Sequence, residues 1–280
     1  MTWNRVITFQ ILAILISASV KADFIPEFQN DRAQSGNYVM YLCGSGRPNS
    51  PASMLQEVLP YMWRNLQDVL ADVKLGTASQ RGYRSFFKTD ENKQYVQAIF
   101  QAIAEGQLLQ RHSGKNTDSV LNPTFICAIP GIEGSATTKW FNDFCVDDAD
   151  FARTHHTAAL YEPGTNFVVL CPPMWNLPTG LTADSCPDVI GRRSRRRFSP
   201  NSDGLMRSQF AGVLHELVHL YNPFEEEGFK ETYTIQDLVD LNATDSLQNP
   251  QNYVAYAAGI QAGCDLFPLS PTATEDGLKH

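Results

Sequence analysis

The chain has no Cys-x-x-Cys pair and no cysteine beside a histidine, so nothing supports a thiolate-held zinc or a thiol nucleophile. It has no phosphate-binding glycine loop, no Gly-x-Gly-x-x-Gly dinucleotide turn and no Gly-x-Ser-x-Gly elbow. Nucleotide chemistry and serine hydrolysis therefore have no local signature. Internal repeats and low-complexity tracts are also missing, which argues against solenoids and disordered tails. Charge is scarce: 19% of the 280 residues are charged, and the net value is -8. A mildly acidic surface is a poor partner for nucleic acid or anionic membranes, and neither is expected to bind.

What is present is apolar, at 43% of residues, enough for one large globular domain. The N-terminal apolar run, Val6 to Val20, follows Arg5 and ends in Val20-Lys21-Ala22. It is short, contains Gln10 and has no stop-transfer charges behind it. Residues 1–22 are thus expected to be a secretory signal peptide, with the mature, extracellular protein starting near Asp23. Residues 23–280 are expected to form one monomeric domain. Its first part, to about residue 120, is either an integral helical lobe or a removable propeptide.

Six cysteines, at positions 43, 127, 145, 171, 186 and 264, read as three disulfides in an exported chain. Proximity favours Cys127 with Cys145 and Cys171 with Cys186. Asn242-Ala243-Thr244 is the one glycosylation sequon that no proline spoils.

From Ser50 onward, Leu55, Val58, Leu59, Met62, Leu66, Val69, Leu70 and Val73 recur at steps of three and four. This predicts an amphipathic helix that Gly76 stops, with Pro60 a candidate kink. A second helix is expected from Asn92 to Glu105, capped by Asp90. The runs PTFICAIP and TNFVVLCPP are short, β-rich and bounded by proline, as strands of a small sheet would be. Further helices are expected at about Met206 to Leu220, Thr232 to Leu241 and after Pro250. The fold class is therefore α+β, mostly helical and stapled by disulfides. The basic tract Arg192 to Arg197 reads as a solvated loop, with a processing site or an acidic-partner patch as alternatives.

Residues 213–221 read VLHELVHLY, which contains the pattern HExxH. On a helix, positions four apart share one face, so His215 and His219 can aim two imidazole nitrogens at a common point. Two such ligands suit zinc, one ion per chain. Glu216 is turned about 100° from His215, which frees its carboxylate to act as general base on a water. Apart from these three, the segment from Val213 to Leu220 is apolar, so the polar groups need partners, and a metal provides them. A third protein ligand is required, and Glu225, Glu226, Glu227, Glu231, Asp237 and Asp240 all follow. The run Glu225 to Glu227 reads as a solvated acidic loop. Adjacent His155 and His156 diverge on either a strand or a helix and rarely chelate one ion. His112 and His280 suggest no role.

HELVH, then Gly228-Phe229-Lys230-Glu231, then Asn249-Pro250-Gln251-Asn252-Tyr253-Val254-Ala255-Tyr256, resembles the deuterolysin or aspzincin peptidases secreted by fungi. The likeness covers roughly the last seventy residues. It implies a zincin-like fold and a zinc endopeptidase acting on proteins or peptides. It also implies Glu231 as third ligand, where the family has aspartate, with Asp237 and then Glu227 in reserve. Thr234 stands where the family has tyrosine, leaving Tyr233 as a candidate to stabilise the oxyanion. Related fungal surface antigens carry HRxxH and bind zinc without catalysis, so residue 216 separates the two implied functions.

Overall fold

The computed structural model describes residues 32–44, 50–75, 82–106, 123–130, 136–146, 159–161, 167–181, 184, 186, 189–190, 197–198, 205, 207–225 and 229–264. The expected signal peptide, Glu226, Glu227, Gly228, residues 192–196, His112, His155, His156 and His280 lie outside them.

Strands β1 (Arg32–Ser35) and β2 (Tyr38–Tyr41) form a hairpin that turns at Gly36. Helix α1 (Pro51–Lys74) starts where the Ser50 hydroxyl accepts the Ser53 amide at 3.2 Å. Pro51 occupies its first turn, where a missing N–H costs nothing. The whole apolar stripe from Leu55 to Val73 is buried, and the helix runs on through Pro60 to Lys74. After α2 (Tyr83–Phe87) comes α3 (Lys93–Glu105), whose cap position holds Asn92 rather than the expected Asp90. The Asp90 carboxylate pairs instead with Arg84, at 3.0 Å.

Strand β3 (Thr124–Cys127) leads to α4 (Ala136–Phe141), which runs into a π-helical turn at Asn142–Val146. Strands β4 (Ala159–Tyr161) and β5 (Phe167–Leu170) follow, then a 3-10 turn at Pro172–Asn176 and the two-residue strands β6 (Val189–Ile190) and β7 (Arg197–Phe198). The chain closes with α5 (Gln209–Tyr221), α6 (Ile235–Asp240), α7 (Ala243–Gln248) and α8 (Pro250–Ala262).

The main sheet has the order β1-β2-β3-β5-β4, parallel at its centre and antiparallel at both edges. Its strand residues alternate between two cores. Phe125, Cys127, Val168 and Leu170 face the large helical core, while Ile126 and Val169 pack with Trp140 on the other side. Burial on both faces explains why β3 and β5 read as continuous apolar runs. Across the helical layer, α8 is buried on nearly every face and packs against α5, α1 and α2. The fold class is thus α+β and mostly helical, as expected.

The disulfide pairing corrects the proximity rule. Cys43 joins Cys127, Cys145 joins Cys171 and Cys186 joins Cys264. The cause is topological: β2 and β3 are parallel neighbours, so Cys43, two residues past the end of β2, meets Cys127, the last residue of β3, although 84 positions separate them. Cys186 to Cys264 ties the segment ahead of α5 to the end of α8. By chain-entropy reasoning, loops of this size stabilise the fold by about 3–4.5 kcal/mol each. Three disulfides suit an oxidising, extracellular setting. No helix among the described residues is long and apolar enough to cross a membrane.

Candidate metal centre

Helix α5 is set by local chemistry at both ends. The Ser208 hydroxyl accepts the Ala211 amide at 3.0 Å, and Asn222 ends the helix with its own amide on Val218 O at 2.7 Å. Between them, Gly212, His215 and His219 are the only helix residues left partly open, one stripe at steps of three and four. The buried faces of the helix dock on α8, β4, α1 and α3, and among the described residues the two histidines lie on its partly open edge.

The rings converge as the spacing predicts. Nε2 of His215 lies 3.1 Å from Nε2 of His219. Glu231 joins them from the irregular segment before α6, its Oε1 3.2 Å from the His219 nitrogen and its Oε2 3.5 Å from that of His215. A tetrahedral ion with bonds of ~2.0–2.1 Å holds its ligand atoms about 3.3–3.4 Å apart, and the three separations bracket that edge. Glu231 Oε2 is buried and accepts no hydrogen bond, an anionic oxygen left for an ion to satisfy. The donor set of two imidazoles and a carboxylate fits zinc's preference and leaves a fourth position open.

His215, Glu216 and His219 offer ligand atoms all within 4.8 Å of one another, so they could hold a metal ion. Glu216 nonetheless stands further from the rings than Glu231 does, at 3.9 Å from the His215 nitrogen, and is only 6% exposed. It borders the site without displacing Glu231 from it. Asp237, the reserve ligand, is engaged elsewhere: its Oδ2 accepts the Thr234 hydroxyl at 2.5 Å, while its amide donates to that hydroxyl at 3.2 Å. This reciprocal cap starts α6 at Ile235, shorter than the expected helix from Thr232, and leaves Glu231 to Tyr233 free of helical geometry.

No protein-family model matches the chain, and no curated protein matches it.

Electrostatics follow from the crowding of three carboxylates around two rings. Burial, then the charge of His219, pushes the His215 imidazole down to about 3, so this ring is neutral. For His219, burial opposes the cation, but hydrogen bonds to Glu225 and Glu231 outweigh it and raise the ring to about 10. Burial likewise works against ionised Glu231, yet the histidine contacts win and hold it down at about 2.

Sequence reasoning missed the role of Glu225. Although it lies in the expected acidic loop, its Oε2 is 2.8 Å from Nδ1 of His219. That bond fixes the ring so that Nε2, not Nδ1, faces His215 and Glu231. No spacing rule reveals it, because the residue lies past the helix end at Asn222. Nδ1 of His215, by contrast, is buried without a partner. Tyr233 sits at the rim, 39% exposed, with its ring centroid 6.4 Å from that of His215. Burial and the Glu231 charge raise its hydroxyl well above the usual tyrosine range, so it stays protonated.

Two predictions arise here. Glu231→Ala is expected to weaken zinc binding on the order of 10²-fold or more, whereas Asp237→Ala costs only about 1 kcal/mol of helix capping. Chelator competition and thermal melts measure both; a larger affinity loss in the Asp237 variant would reassign the ligand. Glu225→Ala is expected to weaken zinc binding about 10–100-fold, because His219 loses its orienting partner. Unchanged affinity in that variant would make the contact incidental.

Proposed function

We propose that the chain is a secreted zinc-dependent endopeptidase of deuterolysin or aspzincin type, with His215, His219 and Glu231 as ligands and Glu216 as general base. The observation that carries this reading is the convergence of Glu231 on two imidazoles one helical turn apart. A buried carboxylate on the same helix, adjacent to the ligands but not placed among them, adds the base that hydrolysis needs. When bound, zinc supplies a Lewis acid that polarises the scissile carbonyl and acidifies water.

The remaining steps belong to side chains. Glu216 takes a proton from the attacking water as the C–O bond forms, then delivers it to the amine as the C–N bond breaks. Tyr233, protonated and at the rim, donates to the oxygen that gains negative charge. Glu225 and the buried faces of α5 keep the ligand rings from turning. The half-open stripe along α5 gives an extended peptide one side from which to approach.

Glu216 also weighs against the alternative of a zinc-capturing antigen, in which the acid is replaced by arginine. The test is a protease assay on an unfolded protein substrate, with zinc-loaded and chelator-stripped chain compared. Cleavage that disappears with the metal and returns on adding zinc supports the proposal. A zinc-loaded chain that cuts nothing across a panel of denatured proteins sinks it.

A further inference from the structure

The third ligand lies on a stretch of chain with no helix or strand of its own. Among the described residues, neither Glu231 nor Thr232 makes a backbone-to-backbone hydrogen bond. Something else must hold this peptide, because an unpaired backbone would leave the carboxylate free to drift from the rings. The fixing comes from one side chain. Asn249 Nδ2 donates to Thr232 O at 3.1 Å, and Asn249 Oδ1 accepts from Thr232 N at 3.4 Å. The amide thus grips both polar groups of the residue beside Glu231, as a neighbouring strand would.

Asn249 is itself locked. Its second Nδ2 hydrogen goes to Asn252 Oδ1 at 2.8 Å, and Asn252 Nδ2 donates to Phe86 O at 2.8 Å and Leu238 O at 3.3 Å. Both asparagines are fully buried. Asn249 stands at the cap position of α8 but makes no capping bond, so its side chain is turned to Thr232 instead. From the other side, Asn222 at the end of α5 donates to Leu247 O at 2.9 Å and Gln248 O at 3.2 Å, just ahead of Asn249. The histidine helix and the carboxylate therefore share one frame through the α7–α8 junction.

We infer that Asn249, held by Asn252, is a positioning residue that sets Glu231 against His215 and His219. This rests on the reading of Glu231 as a metal ligand. The alternative is that the clasp only stabilises a loop, and the two differ in a double-mutant cycle on metal affinity.

The experiment uses the full chain as Asn249→Ala, Glu231→Ala and the double variant. Zinc affinity is measured by chelator competition, cobalt absorption reports the ligand field, and melts are recorded without metal. Asn249→Ala is expected to weaken zinc binding about 10–100-fold and to alter the cobalt bands. With Glu231 already removed, the same substitution is expected to change affinity less than about twofold, because its effect passes through that carboxylate. An equal loss in both backgrounds, or no loss in either, overturns the inference. Should Asn249→Ala fail to fold, Asn252→Ser loosens the clasp one link further out; a smaller loss that vanishes in the Glu231→Ala background is expected, and an unconditional one overturns the inference. A wild-type chain that binds no zinc is a separate result: it fails the proposed function, and the positioning role falls with it.

Discussion

His215→Ala and His219→Ala should each reduce zinc content from about one ion per chain to nearly none after dialysis against a weak chelator. The size of the effect follows from the ligand count. Structural zinc sites bind with roughly 10–16 kcal/mol, so removing one of three protein ligands costs on the order of 3–5 kcal/mol. At about 1.4 kcal/mol per decade, that is roughly a 10²- to 10⁴-fold loss. The loss is compounded in His219→Ala, where the surviving His215 ring faces Glu231 Oε2, a buried oxygen without a hydrogen bond. Elemental analysis gives the stoichiometry, and melts give a second readout. Free metal at about 1,000 times Kd stabilises a folded protein by about 4 kcal/mol, an increment both variants should lack. Full zinc occupancy in either variant would place the metal elsewhere and remove the reading of α5 as a ligand platform.

Most of the helical framework was legible because helix periodicity is a local property. The stripe from Leu55 to Val73 owes its burial to residues three and four positions apart, whereas VLHELVHLY and the helix after Pro250 read as buried helices because they are apolar on nearly every face. The convergence of His215 and His219 is a local fact of the same kind. Strands β3 and β5 could be read from their apolar runs, whereas the hairpin of β1 and β2 could not. RAQS has no alternation, and it becomes a strand by pairing with Tyr38–Tyr41. The disulfides failed for a related reason: proximity along the chain is no guide once parallel pairing has placed β2 beside β3.

The site divides the same way. Glu231 could be named only through a resemblance, because several carboxylates follow the motif and spacing does not choose among them. The structure separates them by what else they are doing, since Asp237 is tied into the cap of α6 while Glu231 is held beside the rings. Glu225 appeared only as one acid among several and Asn249 only as part of the resemblance, and neither pointed to the contact it makes. An acidic residue past a helix end and an asparagine before a proline are ordinary in any surface loop or helix start. Their meaning comes from long-range contacts, Glu225 to a ring nitrogen and Asn249 to a peptide seventeen residues earlier.

Glu216→Gln should separate binding from catalysis. Glutamine keeps the volume of glutamate, so the buried position beside His215 stays filled and the ligand rings keep their packing. Zinc content and melting behaviour should therefore match the wild type. Proteolysis should fall by about 10²–10⁴-fold, because the amide can neither take a proton from the attacking water nor return one to the leaving amine. The fall should appear in kcat with little change in KM, since the carboxylate touches the reacting water and not the bound peptide. Glu216→Asp tests distance against charge: it restores a base of similar strength on a shorter stem, and partial recovery is expected. If Glu216→Gln instead lost its zinc, the carboxylate would be a ligand, and Glu231 would become the candidate base. If it cut peptides at the wild-type rate, the proton would be moving through another group, and Tyr233 at the rim would be the next side chain to substitute.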